Sequence, residues 1–229
     1  MTLLTAWSYS RLSTYEKCAL QARFKYIDKV PEPPSEALER GSEAHDVLAQ
    51  YLRGDRPEED PTAPSDIPGW QHFGQLFNDL RSMSPLVEQQ WGFNRRWEPT
   101  GWFGPDTWFR SVLDVSLVYA DDTGDVIDFK TGKPYSQDTA KQAELYAISM
   151  VRRYPALTHT TVRFWYVDPQ QKGAEAVYRF SRDQAEAAMP RWEKKAERML
   201  TDEIMAPRPG EYCKRCPFAK SKGGPCKYS

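Results

Sequence analysis

The 229 residues carry 31 Lys and Arg against 32 Asp and Glu, a formal net charge of −1, which excludes a histone-like polycation but not a local basic groove. With 40% hydrophobic residues, 13% aromatics and eight Trp, the composition is too apolar for a disordered chain and is ample for one packed domain over residues 1–229. No apolar run approaches the ~18 residues of a membrane helix, and residues 1–9 lack the basic start and apolar core of a signal peptide, so a soluble, cytoplasmic protein with no membrane partner is expected.

Residues 8–26 read as one helix, with Ser13 and Glu16 at capping-box spacing and Leu12, Tyr15, Ala19 and Ala22 at helical intervals. Pro31, Pro33 and Pro34 stop it. A second helix over 35–53 carries Leu38, Ala44, Val47, Leu48, Tyr51 and Leu52 on an apolar stripe, with His45 in its middle. The Pro-rich, acidic stretch 54–69 reads as a mobile surface connection. After a third helix over 70–82 the period changes from 3.6 to 2. Residues 86–93, 109–119 and 125–129 read as strands, parted by turn signals at 99–101 and 121–124. A helix over 136–154, strands over 160–167 and 175–180, a helix over 182–200 and a cysteine-bearing tail over 207–229 follow. The expected fold class is therefore α/β, a central mixed β-sheet flanked by helices.

Two of the strands carry acids among apolar neighbours, Asp114 in one and Asp128 with Lys130 in the next, the latter two on one face. A hairpin joining these strands brings Asp114 and Asp128 together, and two converging carboxylates repel unless a divalent cation neutralises them. A Mg2+ or Mn2+ ion held there would act as a Lewis acid on a phosphodiester, with Lys130 orienting water or stabilising charge on phosphorus. His45 offers a further nitrogen ligand, and Glu88, early in the first strand of the series, a further carboxylate.

His45, Asp114 and Asp128-Phe129-Lys130, followed by Gln142-Ala143-Glu144-Leu145-Tyr146, resemble the PD-(D/E)XK nuclease superfamily in its RecB-like branch with a Gln-x3-Tyr motif. Leu113 stands where the superfamily's name has proline. The resemblance implies a restriction-endonuclease-like core over 35–200, metal ligation by His45, Asp114 and Asp128, a hydrolytic role for Lys130, and Gln142 and Tyr146 near DNA. Lys141, Arg152 and Arg153 are candidates for phosphate contacts on the same helix.

Four cysteines remain: Cys18 in the first helix, then Cys213, Cys216 and Cys226 in the tail. Four thiolates suit either a tetrahedral zinc site or a cubane iron–sulfur cluster. Ser8, Ser10, Arg11, Leu12, Tyr15 and Cys18, with three cysteines near the C-terminus, are similar to the iron–sulfur subgroup that includes the AddB nuclease domain and the CRISPR-associated RecB-like exonucleases. That similarity implies a structural 4Fe-4S cluster joining an N-terminal segment, 8–30, to the tail, 207–229. The tail also carries six basic residues against Glu211 alone, a candidate wall for a phosphate backbone.

Trp91, Phe93, Trp97, Trp102, Phe103 and Trp108 cluster around the first hairpin. Most of them are expected in the core, while one or two in the turn over 101–104 are candidates for stacking on unpaired bases. Taken together, the resemblance implies a metal-dependent DNA exonuclease acting on single strands or ends, 5′ to 3′, in recombination, repair or CRISPR-linked processing, of phage or cellular origin. Two alternatives stay open from the sequence: a non-catalytic DNA-binding or assembly module, and an electron carrier.

Overall fold

The N-terminal stretch expected to be one helix is broken at Cys18. In the computed structural model, which describes residues 4–55, 67–134 and 136–228, with only the backbone of residues 136, 137 and 169, helix α1 spans Tyr9–Lys17 and α2 spans Ala19–Tyr26. Cys18 between them is extended, at φ −158° and ψ 114°. The break is local because hydrogen bonding continues through it: the Cys18 N–H donates to the Thr14 carbonyl and its own carbonyl accepts from the Ala22 N–H. The start of α1 is capped by Ser8, whose hydroxyl accepts from the Arg11 N–H at 3.4 Å. Ser13 and Glu16, expected to cap, lie inside α1, because the helix begins one turn earlier than that pair requires.

Helices α3 (Glu36–Arg53) and α4 (Trp70–Ser82) follow; residues 56–66 of the expected surface connection lie outside the described residues. Next come β1 (Leu86–Phe93), β2 (Pro99–Thr100), β3 (Phe109–Val118), β4 (Thr123–Lys130), α5 (Ser136–Arg153), β5 (His159–Tyr166), β6 (Glu175–Ser181) and α6 (Arg182–Leu200). The turn signal expected at 99–101 thus also contributes a two-residue strand. The six strands form one mixed sheet in the order β2-β1-β3-β4-β5-β6. Neighbours β1/β2, β3/β4 and β5/β6 are antiparallel, whereas β4 and β5 are parallel, the pairing that requires a crossover, here α5.

The chain divides into two compact units: residues 1–35, 92–110 and 189–229 form the first, and 36–91 with 111–188 the second. In the second, Leu48 and Leu52 of α3 and Phe73, Phe77 and Leu80 of α4 bury their stripes against Val115, Leu117, Ile127, Phe129 and Trp165 of the sheet. Phe73 stacks on Trp165 with centroids 5.0 Å apart. Helix α4 starts at Gly69, at φ 76°, where a side chain would meet the Val167 backbone at 3.0 Å, so glycine is required twice over. In the first unit the core is aromatic. Trp7, Trp97, Trp108, Phe109 and Trp192 are all buried, and Trp7 pairs through its backbone with Trp108 and Arg110. Four of the six hairpin aromatics, Trp91, Phe93, Trp97 and Trp108, are therefore core, while Phe103 is 85% exposed. No helix among the described residues is long and apolar enough to cross a membrane.

Candidate functional site

The β3/β4 hairpin sets the acids. Val115 pairs with Ile127, and the same register carried one residue further places Asp114 across from Asp128. Both are buried, at 7% and 2% exposure, an expensive position for carboxylates without compensation. Asp114 Oδ2 accepts from the Phe129 N–H at 2.8 Å and lies 3.3 Å from His45 Nδ1, presented by α3. Glu88 Oε1 lies 4.0 Å from the same imidazole nitrogen. Among the described residues, His45, Glu88 and Asp114 are the one group of three acid, imidazole or thiol side chains whose ligand atoms all fall within 4.8 Å of one another.

Glu88 reaches this cluster from a left-handed backbone, φ 52°, inside β1. A non-glycine residue there costs roughly 1–3 kcal/mol and persists only where its surroundings demand it. The sequence marked Glu88 but gave no sign of this conformation.

Asp128 is held differently. Its Oδ1 accepts from the Tyr146 hydroxyl at 2.6 Å and from Gln142 Nε2 at 3.2 Å. Its buried Oδ2 is held in a close ion pair by Lys130 Nζ at 2.5 Å. Gln142 Oε1 in turn accepts from Lys130 Nζ at 3.1 Å, so one amide bridges the acid and the lysine. The side chains of Gln142 and Tyr146 are turned to Asp128. Tyr146 is 5% exposed, and the i, i+4 spacing on α5 aims both side chains at one carboxylate. Of the other basic candidates on α5, Arg152 lies 3.7 Å from Glu186 and Arg153 stacks over Trp91.

Electrostatics agree with the crowding. Burial, then Asp114, pushes the Glu88 carboxyl above its ordinary range. Burial also raises Asp128, opposed by Lys130 and reinforced by Asp114. For His45, burial disfavours the charged ring, but the hydrogen bond and charge of Asp114, with Asp128 and Glu88, outweigh it and lift the imidazole from 6.5 to about 9. The imidazolium therefore stabilises the metal-free fold fully below pH 6.5 and ceases to do so as pH rises through about 9. In chelator, the melting temperature is expected to fall across that window, and His45→Asn to flatten the fall. Manganese affinity is expected to rise over the same window, since the ligand must shed its proton.

An open groove of about 210 Å³ adjoins Lys130, walled by Lys133, Thr139, Gln142 and Tyr166 among others. Lys133 and Thr139 were missed in the sequence, although Thr139, Gln142 and Tyr146 fall at i, i+3 and i+7 of one helix face.

In the first unit the four cysteines, remote in sequence, line one small cavity with Leu20, Phe24 and Tyr212. The Cys18 sulfur accepts from the Arg208 N–H at 3.4 Å and that of Cys213 from the Gly210 N–H at 3.3 Å. None is in a disulfide. Cys226 is brought back by a close backbone approach: a side chain on Gly224 would meet the Phe218 carbonyl carbon at 2.3 Å. Arg208, counted among the basic residues of the tail, donates to the Tyr15 and Glu16 carbonyls at the end of α1, and Lys214 pairs with Glu211.

The sequence pattern of the PD-(D/E)XK nuclease superfamily matches residues 6–221. The chain belongs to the PD-(D/E)XK nuclease superfamily. Among solved structures, a candidate exonuclease from Eubacterium rectale is similar, with a TM-score of 0.54 at 16% identity over 93% of this chain and 87% of that one. SSO0001 matches over 97% of this chain and 86% of that one, at 14% identity and a TM-score of 0.45. No curated protein matches the sequence.

PD-(D/E)XK nucleases use divalent metals, and the residues of this member fit such an ion: three ligand atoms from His45, Glu88 and Asp114 are already clustered, an imidazole and two carboxylates. The Tyr146 hydroxyl lowers the proton affinity of Asp128. Tyr146→Phe is accordingly expected to cost about 1–3 kcal/mol of stability, for a buried acceptor losing its donor. It should also move the acid limb of manganese binding to higher pH; an unmoved limb would remove Tyr146 from the site's machinery.

Proposed function

We propose that this chain is a metal-dependent DNA exonuclease. The observation that carries the reading is the His45–Glu88–Asp114 cluster beside the Asp128–Lys130 pair. His45, Glu88, Asp114 and Asp128 would hold Mg2+ or Mn2+, which when bound supplies Lewis acidity toward a phosphodiester and makes water nucleophilic at neutral pH. Lys130 places a cation where negative charge grows on the phosphoryl oxygens, and Gln142 fixes its ammonium against Asp128. Tyr146 holds Asp128 in one rotamer, so a ligand oxygen is aimed before any ion arrives. Lys133 in the adjoining groove offers a phosphate contact.

The RecB-like resemblance favours single strands or DNA ends as substrate, 5′ to 3′ polarity and a place in recombination, repair or CRISPR-linked processing, with proteins of those systems as partners. The test is hydrolysis of DNA labelled at either end, with manganese or magnesium, by protein purified without oxygen. Mononucleotides released from the 5′ end are expected, and no hydrolysis with either metal would overturn the assignment.

A 4Fe-4S cluster held by Cys18, Cys213, Cys216 and Cys226 belongs to the same reading. The four thiols share one cavity, yet no three of their sulfurs come within 4.8 Å of one another. Backbone N–H donors already aimed at two of the sulfurs suit thiolate ligands.

A further inference from the structure

The hairpin beyond β2 ends in a turn that leaves two adjacent aromatic rings outside the core. Phe103 is 85% exposed, and Trp102 stands edge to face with it, centroids 6.5 Å apart. The turn beneath them is braced. The Gly104 N–H donates to the Gly101 carbonyl at 3.0 Å, the Thr107 hydroxyl donates to the same carbonyl at 2.7 Å, and the Thr100 and Thr107 hydroxyls meet at 2.9 Å. A stiff support that holds a large apolar ring in water sacrifices burial worth about 1.5–3 kcal/mol, so the exposure calls for a partner.

The charge beside the rings narrows what that partner is. Arg110 lies against both, 5.4 Å from the Trp102 centroid and 5.5 Å from that of Phe103, and its buried Nε has no hydrogen-bond acceptor. Arg11 is close enough that, after burial, Arg110 is the main influence holding its proton affinity down. Arg11 reaches only the Ala6 carbonyl, at 2.8 Å, and the face of Tyr26. Among the described residues neither guanidinium has a carboxylate partner. Two crowded cations call for an anion, and an exposed ring with a half-buried one beside it for flat apolar faces. A single DNA strand offers both at once, as phosphates and unstacked bases, whereas a duplex offers phosphates with its bases already stacked.

We propose that Trp102 and Phe103, with Arg110 and Arg11, form a stacking platform for single-stranded DNA. The proposal rests on the reading of the chain as a DNA nuclease, but its test needs no hydrolysis. Binding is measured by fluorescence anisotropy in EDTA with labelled oligo-dT, an abasic oligomer of the same length, and a blunt duplex. Phe103→Ala is expected to weaken oligo-dT binding by about tenfold, the scale of one lost base–aromatic stack, and to leave duplex and abasic binding unchanged. Phe103→Trp should restore it, and Arg110→Gln should weaken all three probes and reduce the salt dependence by about one phosphate contact. Oligo-dT binding indifferent to Phe103→Ala, equal loss on all three probes with that variant, or an abasic oligomer bound as tightly as oligo-dT overturns the platform. Hydrolysis assays run alongside separate the two readings: activity with an indifferent Phe103→Ala removes the platform alone, and the expected binding pattern without hydrolysis removes the nuclease alone.

Discussion

Asp114→Asn is expected to reduce manganese-dependent DNA hydrolysis by about a thousandfold or more while leaving the fold intact. The magnitude follows from the several kcal/mol of transition-state stabilisation that a correctly held metal supplies, at 1.36 kcal/mol per tenfold. Asparagine is the informative replacement because of what Asp114 does in the fold. Its buried oxygen accepts the Phe129 N–H at 2.8 Å, and an amide oxygen can still do so. Asp114→Ala leaves that N–H unsatisfied and is expected to cost a further 1–3 kcal/mol of stability, confounding activity with folding. The asparagine variant also removes the charge that raises Glu88 and holds His45 charged, so its imidazole should titrate lower than about 9, a shift readable by NMR. Hydrolysis at the parent rate in Asp114→Asn would dismiss the metal centre; lost hydrolysis with a cooperatively folded variant supports it.

Cys18→Ser is the second large effect, and it reads out stability rather than chemistry. A cluster on Cys18, Cys213, Cys216 and Cys226 would tie the break between α1 and α2 to a tail nearly two hundred residues later. By analogy with a covalent cross-link closing a loop of that length, its removal is expected to cost on the order of 4–5 kcal/mol. The parent protein, purified without oxygen, should be brown, with about four irons and four acid-labile sulfides per chain. Cys18→Ser should be pale and melt many degrees lower, while reduction of the parent should leave hydrolysis unchanged. Colourless parent protein with one zinc per chain would replace the cluster by a zinc site, and iron content unchanged in Cys18→Ser would exclude Cys18 as a ligand.

Much of the architecture was legible because it is written in periodicity. The apolar stripes of α3 and α4 repeat at helical spacing, and the acid-bearing strands β3 and β4 stand out by alternation around a clear turn. The N-terminal helix was misread because one extended residue leaves no mark on a helical pattern: Cys18 interrupts the backbone while its neighbours keep their spacing. The roles of Gln142 and Tyr146 were only half legible. Their shared face could be counted from the sequence, but the direction of that face, inward to Asp128, depends on how α5 lies on β5.

What the sequence determined by itself is the set of chemical groups and the faces they share: an acid, then an acid and a lysine on successive strands, a histidine on a helical stripe, and four thiols at the two ends of the chain. These follow from residue type and from repeats of 2 and 3.6, which are local properties of the backbone. Only the tertiary structure decided which groups meet. The left-handed turn of Glu88 toward His45, the Phe129 N–H on Asp114, the Tyr146 hydroxyl on Asp128, and the thiols gathered in one cavity all join residues far apart in sequence. Such meetings depend on register and packing over the whole chain, and no local pattern encodes them.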